Sequence, residues 1–111
     1  DGRYRYIVNL TPEATFQNVE TKSPLFKEWK SLAETDSHAK AMTTKYQHRP
    51  AIELYDVKND PYCMKNLAED AKQASTISRL DKELKRWMKD CGDEGQPTEM
   101  RAFEHMPGKR K

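Results

Sequence analysis

The sequence has few aliphatic residues, no long apolar run and almost no net charge. Leu, Ile, Val and Phe account for 16 of the 111 residues, and no unbroken apolar run is longer than three residues, as in Tyr6-Ile7-Val8. A helix that spans a bilayer needs about 20 apolar residues in a row, so the sequence predicts no transmembrane segment and no signal peptide. Twenty Lys and Arg against eighteen Asp and Glu leave a formal charge of +2, which argues against a dedicated nucleic-acid binder.

The shortage of aliphatic side chains also limits the hydrophobic core. A small domain buries proportionally less surface than a large one, and this chain adds only two Trp, five Tyr and five Met as further apolar bulk. Folding remains feasible because the net charge is close to zero. We therefore expect one small domain, part of whose apolar surface lies against another structure.

Cysteine and histidine are too sparse for a disulfide framework or a metal site. Cys63 and Cys91 are the two cysteines, and the sequence leaves open whether they pair. His38, His48 and His105 are scattered, without the spacing of zinc ligands. No glycine-rich phosphate loop and no nucleophile or metalloprotease motif is present. The sequence therefore predicts no catalytic, metal-binding or cofactor-binding residue in this chain.

Two segments, 3–10 and 51–57, have the composition and alternation that predict strands. The first follows Asp1-Gly2, a dipeptide favoured in two-residue hairpin turns. A hairpin at this point requires a preceding strand, so we expect that partner strand to belong to a longer polypeptide. Because an exposed edge recruits other strands, the isolated chain is expected to be weakly stable or to dimerise through this edge.

Two helices are predicted between these strands. Ser23-Pro24 combines a hydroxyl N-cap with proline at the first helical position, and Leu25, Trp29 and Leu32 then recur at helical spacing. These signals predict a helix at about 24–35. The following residues are polar, and the sequence indicates only a short helix around 37–42.

The clearest helix is predicted at about 70–91. Its apolar residues recur every three or four positions on one stripe, namely Ala74, Ile77, Leu80, Leu84, Trp87 and Cys91. Gly92 follows as a C-cap. The predicted fold class is α+β: a small antiparallel sheet packed against this long C-terminal amphipathic helix, with a second helix in the strand connection. Trp87 is expected in the core.

The last residues of the chain lack periodicity. We predict a domain at 1–95 and an irregular basic tail at 96–111, which ends in Lys109-Arg110-Lys111. A short basic triplet is a weak signal for a targeting address or a nucleic-acid contact, and solvation is the favoured interpretation.

Three smaller features have both a structural and a functional interpretation. Asp56 and Asp60 flank a turn without the ligand pattern of a calcium loop, so turn chemistry is favoured for them. His48-Arg49 is a candidate substrate-cleft contact, because two cationic donors can bind an anion; the alternative is a solvated loop pair. Asn9-Leu10-Thr11 is a glycosylation sequon, and its use is left open.

The segment from Glu53 to Tyr62, ELYDVKNDPY, followed by Asn66-Leu67-Ala68, resembles the C-terminal signature of the type I sulfatases. In that family a strand reading ELYDL leads to DP, then to NLA and a helix. The opening GRYRYI is similar to the family's preceding GxYKYI strand, and RWMK followed by Gly92-Asp93 is similar to its closing helix. The resemblance covers residues 1 to about 95. Cys63 departs from it, since family members commonly have Glu at this position.

The resemblance implies a parent enzyme that hydrolyses sulfate esters or N-sulfates, and 26–50 is most similar to the heparan N-sulfatase (sulfamidase) branch. The family uses calcium and a formylglycine made in a Cys/Ser-x-Pro-x-Arg motif. Neither Cys63 nor Cys91 is followed by that Pro and Arg. The resemblance thus implies that this chain is a C-terminal subdomain without turnover of its own, with a four-stranded sheet under the final helix. Its expected partner is the N-terminal catalytic domain of the same polypeptide, in a secreted, periplasmic or lysosomal enzyme.

A free-standing interaction or binding module is the alternative function. It explains the lack of catalytic motifs and the basic tail, but it does not explain the strand, turn and helix match. A Cys/Ser-x-Pro-x-Arg motif several hundred residues upstream in the same reading frame would distinguish the sulfatase from the free-standing module. The sequence does not determine the sulfated substrate, the organism or the oligomeric state.

Overall fold

The computed structural model describes residues 1–107 and confirms the α+β class. The chain forms two compact units, one made of residues 1–10 and the segment from 52 onward, the other of residues 11–51. In chain order the regular elements are β1 (Tyr4–Val8), α1 (Pro24–Leu32), α2 (Ser37–Gln47), β2 (Ile52–Asp56), α3 (Ala74–Cys91) and α4 (Gln96–Met100), with 3-10 turns at Glu20–Lys22, Ala71–Gln73 and Ala102–His105.

The sheet of the first unit confirms the predicted pairing of the two strands. β1 and β2 are antiparallel, with Tyr4 opposite Asp56 and Val8 opposite Ile52. Both strands are shorter than predicted. Within the described residues the sheet has these two strands, compared with the four of the family that the sequence resembles.

The outer edge of β1 is open in the described part of the chain. The Val57 N–H donates to the Arg3 carbonyl at 2.9 Å, and in an antiparallel pair the direction of the backbone groups alternates along the strand. Tyr4, Tyr6 and Val8 therefore direct their N–H and C=O groups away from β2. No hydrogen bond among the described residues reaches these outward groups of Tyr6 and Val8.

The predicted hairpin geometry at Asp1-Gly2 is absent. Gly2 does not adopt positive φ, which a type I′ turn requires at both central residues. Instead, the Asp1 carboxylate accepts hydrogen bonds from the backbone N–H groups of Arg3 at 2.9 Å and Tyr4 at 2.8 Å. Its second oxygen lies 2.8 Å from a guanidinium nitrogen of Arg79, so Asp1 connects the start of β1 to α3.

The helix α3 packs on the sheet through only part of its apolar stripe. Leu80 is buried, and the Tyr6 hydroxyl donates to Asp81 at 2.9 Å. The prediction that Trp87 lies in the core is wrong, because its side chain is 60% exposed. The physical reason is length: an 18-residue helix extends about 27 Å, whereas a five-residue strand extends about 17 Å. The sheet is therefore too short to cover the whole of α3, and Trp87 near its C-terminal end stays exposed.

The two ends of α3 show how local sequence sets helix limits. Gly92 has φ 73° and caps the C-terminus as predicted. At the N-terminus the α-helix begins at Ala74 rather than 70, after the 3-10 turn. The prediction of an irregular segment from residue 96 is corrected by α4 and the 3-10 turn that follows it, while Lys109-Arg110-Lys111 lies outside the described residues. None of the helices in the described part of the chain has the length and apolar character needed to cross a membrane.

The second unit contains the two helices that connect the strands. The Ser23 hydroxyl accepts a hydrogen bond from the Phe26 N–H at 3.2 Å, which confirms the predicted N-cap of α1. The helix α2 extends to Gln47, well past the predicted end at 42. The Asp36 carboxylate caps it by accepting from the Ala39 N–H at 2.9 Å. Sequence periodicity missed this length because the C-terminal half of α2 is polar.

Candidate functional site

The strand β2 is the most deeply buried element of the first unit and holds a carboxylate in its interior. Glu53, Leu54 and Tyr55 are all buried. The Tyr55 hydroxyl donates to Glu53 Oε1 at 2.6 Å, and Asn9 Nδ2 donates to Oε2 at 2.9 Å. Burial, followed by this contact with Glu53, raises the pKa of Tyr55. Because a buried carboxylate must have hydrogen-bond partners, this arrangement gives Glu53 a structural role and engages the sequon asparagine.

The end of β2 is held by an ion pair with β1. A guanidinium nitrogen of Arg3 lies 3.0 Å from Asp56 Oδ2, and Asn59 Nδ2 donates to the same oxygen at 2.9 Å. These hydrogen bonds lower the pKa of Asp56 to about 2, with the contact to Arg3 as the largest cause. Asp56 thus joins the two strands and the following turn.

The turn after β2 is organised by a second aspartate. Asp60 accepts hydrogen bonds from the backbone N–H groups of Met64 at 3.0 Å and Lys65 at 2.9 Å. With the Asn59 contacts of Asp56, this confirms the prediction of turn chemistry for both aspartates. Within the described residues, no three His, Cys, Asp or Glu side chains come together as possible metal ligands.

Asn66 takes the place of a neighbouring strand along the other edge of β2. Its Oδ1 accepts from the N–H groups of Leu54 and Ala68, both at 3.0 Å, and its Nδ2 donates to the Ile52 carbonyl at 3.2 Å. The N–H of Leu67 then donates to the Leu54 carbonyl at 2.8 Å. The NLA triplet is therefore hydrogen-bonded to the ELYD strand.

Cys63 lies in the same turn and has an unusual backbone conformation. Its φ is 53°, a left-handed conformation that only glycine adopts without strain. Its Sγ lies 3.6 Å from a guanidinium nitrogen of Arg5. Cys63 and Cys91 form no disulfide bond, which decides the question that the sequence left open.

The predicted cleft residues His48 and Arg49 lie in the second unit, immediately after α2. Both are exposed. The backbone N–H of His48 donates to the Thr44 carbonyl at 2.8 Å, and the Arg49 guanidinium lies 4.7 Å from the centre of the Phe16 ring. A cation over an aromatic face is held in position by the ring quadrupole. This contact restricts the position of the Arg49 side chain, and a role in substrate binding stays a prediction.

An aromatic cluster that the sequence did not predict supports this loop. Phe16 and Tyr46 are 5.7 Å apart with their rings at 74°, and Phe26 lies 5.5 Å from Tyr46. Asn18 Nδ2 donates to the Tyr46 hydroxyl at 3.0 Å, and the Phe16 N–H donates to the Gln47 carbonyl at 2.7 Å. These partners lie far apart in the sequence, so local periodicity carried no signal for them.

The sequence is similar to that of known sulfatases. An ulvan-active sulfatase of Formosa agariphila is 32% identical over 103 residues, which cover 89% of this chain and 17% of that protein. The chain is similar to part of a sulfatase. A second ulvan-active sulfatase of the same organism is also 32% identical, over 93 residues that cover 84% of this chain and 17% of that protein. No protein-family model matches the chain.

This similarity confirms the sulfatase resemblance at the level of the enzyme class and leaves the branch undecided. The chain spans about a sixth of the length of these curated relatives. The signature residues of β2 and its turn make structural contacts within the first unit.

Proposed function

We propose that this chain is the C-terminal part of a formylglycine-dependent sulfatase that hydrolyses sulfate esters or N-sulfates. The observation that carries the proposal is the 32% identity to a sulfatase over most of this chain, combined with coverage of only 17% of that protein. In the net reaction, water adds across a sulfur–oxygen or sulfur–nitrogen bond and releases sulfate with an alcohol or an amine.

The role proposed for this part of the enzyme is support of the catalytic domain. Cys63 and Cys91 lack the Pro and Arg that formylglycine formation requires in this family. Two acidic groups of the signature segment are engaged in the fold, Asp56 with Arg3 and Glu53 with Tyr55. We therefore propose that the nucleophile and the calcium ion belong to a preceding domain of the same polypeptide.

A sulfated polysaccharide is the proposed substrate class, because both relatives are named for activity on ulvan. The resemblance of 26–50 to the sulfamidase branch favours an N-sulfated sugar among such substrates. In either case Arg49, held over Phe16, is proposed to contact a sulfate group together with His48. Charge-assisted hydrogen bonds from guanidinium groups suit anionic oxygens.

The open outer edge of β1 is proposed to pair with a strand from the preceding part of the polypeptide. The support is the outward N–H and C=O groups of Tyr6 and Val8, which meet no hydrogen-bond partner among the described residues. In the isolated chain the same edge is proposed to bind a second copy, since open edges recruit strands. Light scattering on the isolated chain and on a polypeptide extended upstream tests this: a monomer of equal melting temperature in both contradicts it.

The experiment for the main proposal uses the full-length polypeptide. Co-expressed with a formylglycine-generating enzyme, it is expected to release sulfate from an O-sulfated or N-sulfated oligosaccharide and to carry a Cys/Ser-x-Pro-x-Arg motif upstream. Separate assays with ulvan and with heparan sulfate distinguish the substrate classes. The Arg49→Ala variant is expected to raise KM, and Lys40→Ala, at an exposed position of α2, is the matched control.

The isolated 111-residue chain provides the complementary test. It is expected to show no sulfate release above the buffer rate, with or without calcium. Turnover that survives repurification contradicts the placement of the catalytic centre. A full-length sequence without the formylglycine motif refutes the sulfatase proposal and favours the interaction module.

A further inference from the structure

The helix α1 exposes a larger apolar stripe than it buries. Leu25, Trp29 and Leu32 recur at i, i+4 and i+7, and their side chains are 57%, 50% and 52% exposed. We call this stripe the α1 face. Phe26 is the buried residue of the helix. An amphipathic helix normally directs its apolar stripe toward a core, so the α1 face lacks the partner that its composition requires.

Two apolar grooves flank the α1 face, with Trp29 on the ridge between them. One groove has a volume of about 200 Å³ and is lined by Leu25, Trp29, Phe26 and Tyr46, together with Glu20 and Ser23. The other has a volume of about 260 Å³ and is lined chiefly by Trp29, Leu32 and Met42. A contiguous apolar surface with concave sites for side chains is typical of a protein interface.

The two lysines of α1 lie away from this surface, whereas the exposed Glu28 borders it. Lys27 and Lys30 are exposed, and at 100° per residue they fall on the side of the helix opposite to the α1 face. The helix therefore has a solvated basic side and an apolar side that is bordered by Glu28. A partner that binds the apolar side is held by hydrophobic burial and shape, which makes a folded protein surface a better occupant than an anionic ligand.

We propose that the α1 face is the docking surface for the preceding catalytic part of the same polypeptide, an inference that rests on the proposed function. The chain spans 17% of each sulfatase relative, so the parent polypeptide offers a large partner on the same chain. Tethering gives such a partner an effective concentration on the order of millimolar. A second copy of the chain, at lower concentration, is a weaker competitor for the same surface.

The test is hydroxyl-radical labelling of the full-length polypeptide, with oxidation at Trp29 read by mass spectrometry. Docking is expected to slow labelling of Trp29 at least about tenfold relative to the urea-denatured protein, because the centre of an interface excludes water. If Trp29 stays half-exposed, its oxidation is slowed only about twofold relative to the denatured protein, in proportion to its accessible area. That result overturns the proposal. Protection that disappears on dilution to a monomer assigns the surface to a second copy and also overturns it.

Two variants of the full-length polypeptide sharpen the test. Leu25→Glu replaces an exposed side chain of the α1 face and is expected to restore rapid oxidation of Trp29 and Met42 and to lower the melting temperature. Lys30→Glu, on the opposite side of the same helix, is the control and is expected to change neither. If both variants behave like the wild type, the α1 face is not an interface.

Sulfate release by the wild-type polypeptide is measured separately, so the two proposals fail independently. Activity with an unprotected Trp29 overturns the docking surface and leaves the sulfatase function in place. Protection without activity supports the docking surface and overturns the sulfatase identity of the partner.

Discussion

Replacement of Asn66 by alanine tests whether the signature after β2 acts as a structural connection. Asn66 makes three hydrogen bonds, to the N–H groups of Leu54 and Ala68 and to the Ile52 carbonyl. Leu54 is 0% exposed, so water cannot replace the lost acceptor at its N–H. The groups on Ala68 and Ile52 are nearer to solvent and can be rehydrated.

The expected cost is dominated by the stranded N–H of Leu54. A buried donor without a partner costs about 1–3 kcal/mol, and each exchangeable hydrogen bond contributes about 0.5–1.5 kcal/mol. We therefore expect Asn66→Ala to lower the free energy of unfolding by about 2–3 kcal/mol. With a urea m-value on the order of 1–3 kcal/mol per molar, the midpoint falls by about 1–2 M. Asn66→Asp keeps the acceptor and loses the donor to Ile52, so its cost is smaller.

Urea unfolding of the 111-residue chain, followed by circular dichroism, measures these differences. Asn59→Ala is the matched control, because Asn59 is exposed and donates to Asp56 at the surface. It is expected to cost less than about 1 kcal/mol. Equal midpoints for Asn66→Ala and Asn59→Ala would show that the Asn66 contacts do not stabilise β2.

The remaining predictions concern α3 and the pH dependence of stability. Leu80→Ala is expected to cost about 2–4 kcal/mol as a buried truncation, whereas Trp87→Ala, at a 60% exposed site, costs less than about 1 kcal/mol; the reverse order in urea melts contradicts the packing. Arg3 is the largest cause that lowers the pKa of Asp56 from 3.8 to about 2. The ionised Asp56 therefore stabilises the folded state fully above pH 3.8, and this contribution is lost as the pH falls toward 2. Asp56→Asn is expected to flatten the plot of stability against pH in this range, and an unchanged plot contradicts the reasoning. Burial and the hydrogen bond to Asp81 raise the pKa of Tyr6 from 10 to about 12. The stabilisation that the neutral Tyr6 hydroxyl gives the folded state therefore declines between pH 10 and 12, and Tyr6→Phe is expected to lack this decline. An absorbance titration midpoint near 10 for Tyr6 contradicts the assignment.

Elements fixed by adjacent residues could be predicted from the sequence. The N-cap at Ser23 and the C-cap at Gly92 depend on backbone groups within a few positions, and the structure has both. The two strands and the long helix follow from periodicity, which reports which face an element buries. The turn role of Asp56 and Asp60 was also predictable, because aspartate in a turn bonds to its own neighbours.

For the candidate site, the sequence predicted only a resemblance to part of a sulfatase. The signature from Glu53 to Ala68 pointed to that family as a pattern, and the similarity to known sulfatases supports it. What those residues do was not visible in the pattern. Glu53 meets Asn9 across 44 positions of the chain, and no local rule connects residues so far apart.

The sequence by itself determined β1, α1, β2 and α3, their order and the α+β class. The tertiary structure alone decided which apolar side chains are covered: it leaves Trp87 and the Trp29 stripe at the surface and encloses Leu54 completely. Both tryptophans lie on stripes that periodicity alone assigns to a core. Burial depends on the length and position of the neighbouring element, and the short sheet beside α3 cannot cover a helix that extends beyond it.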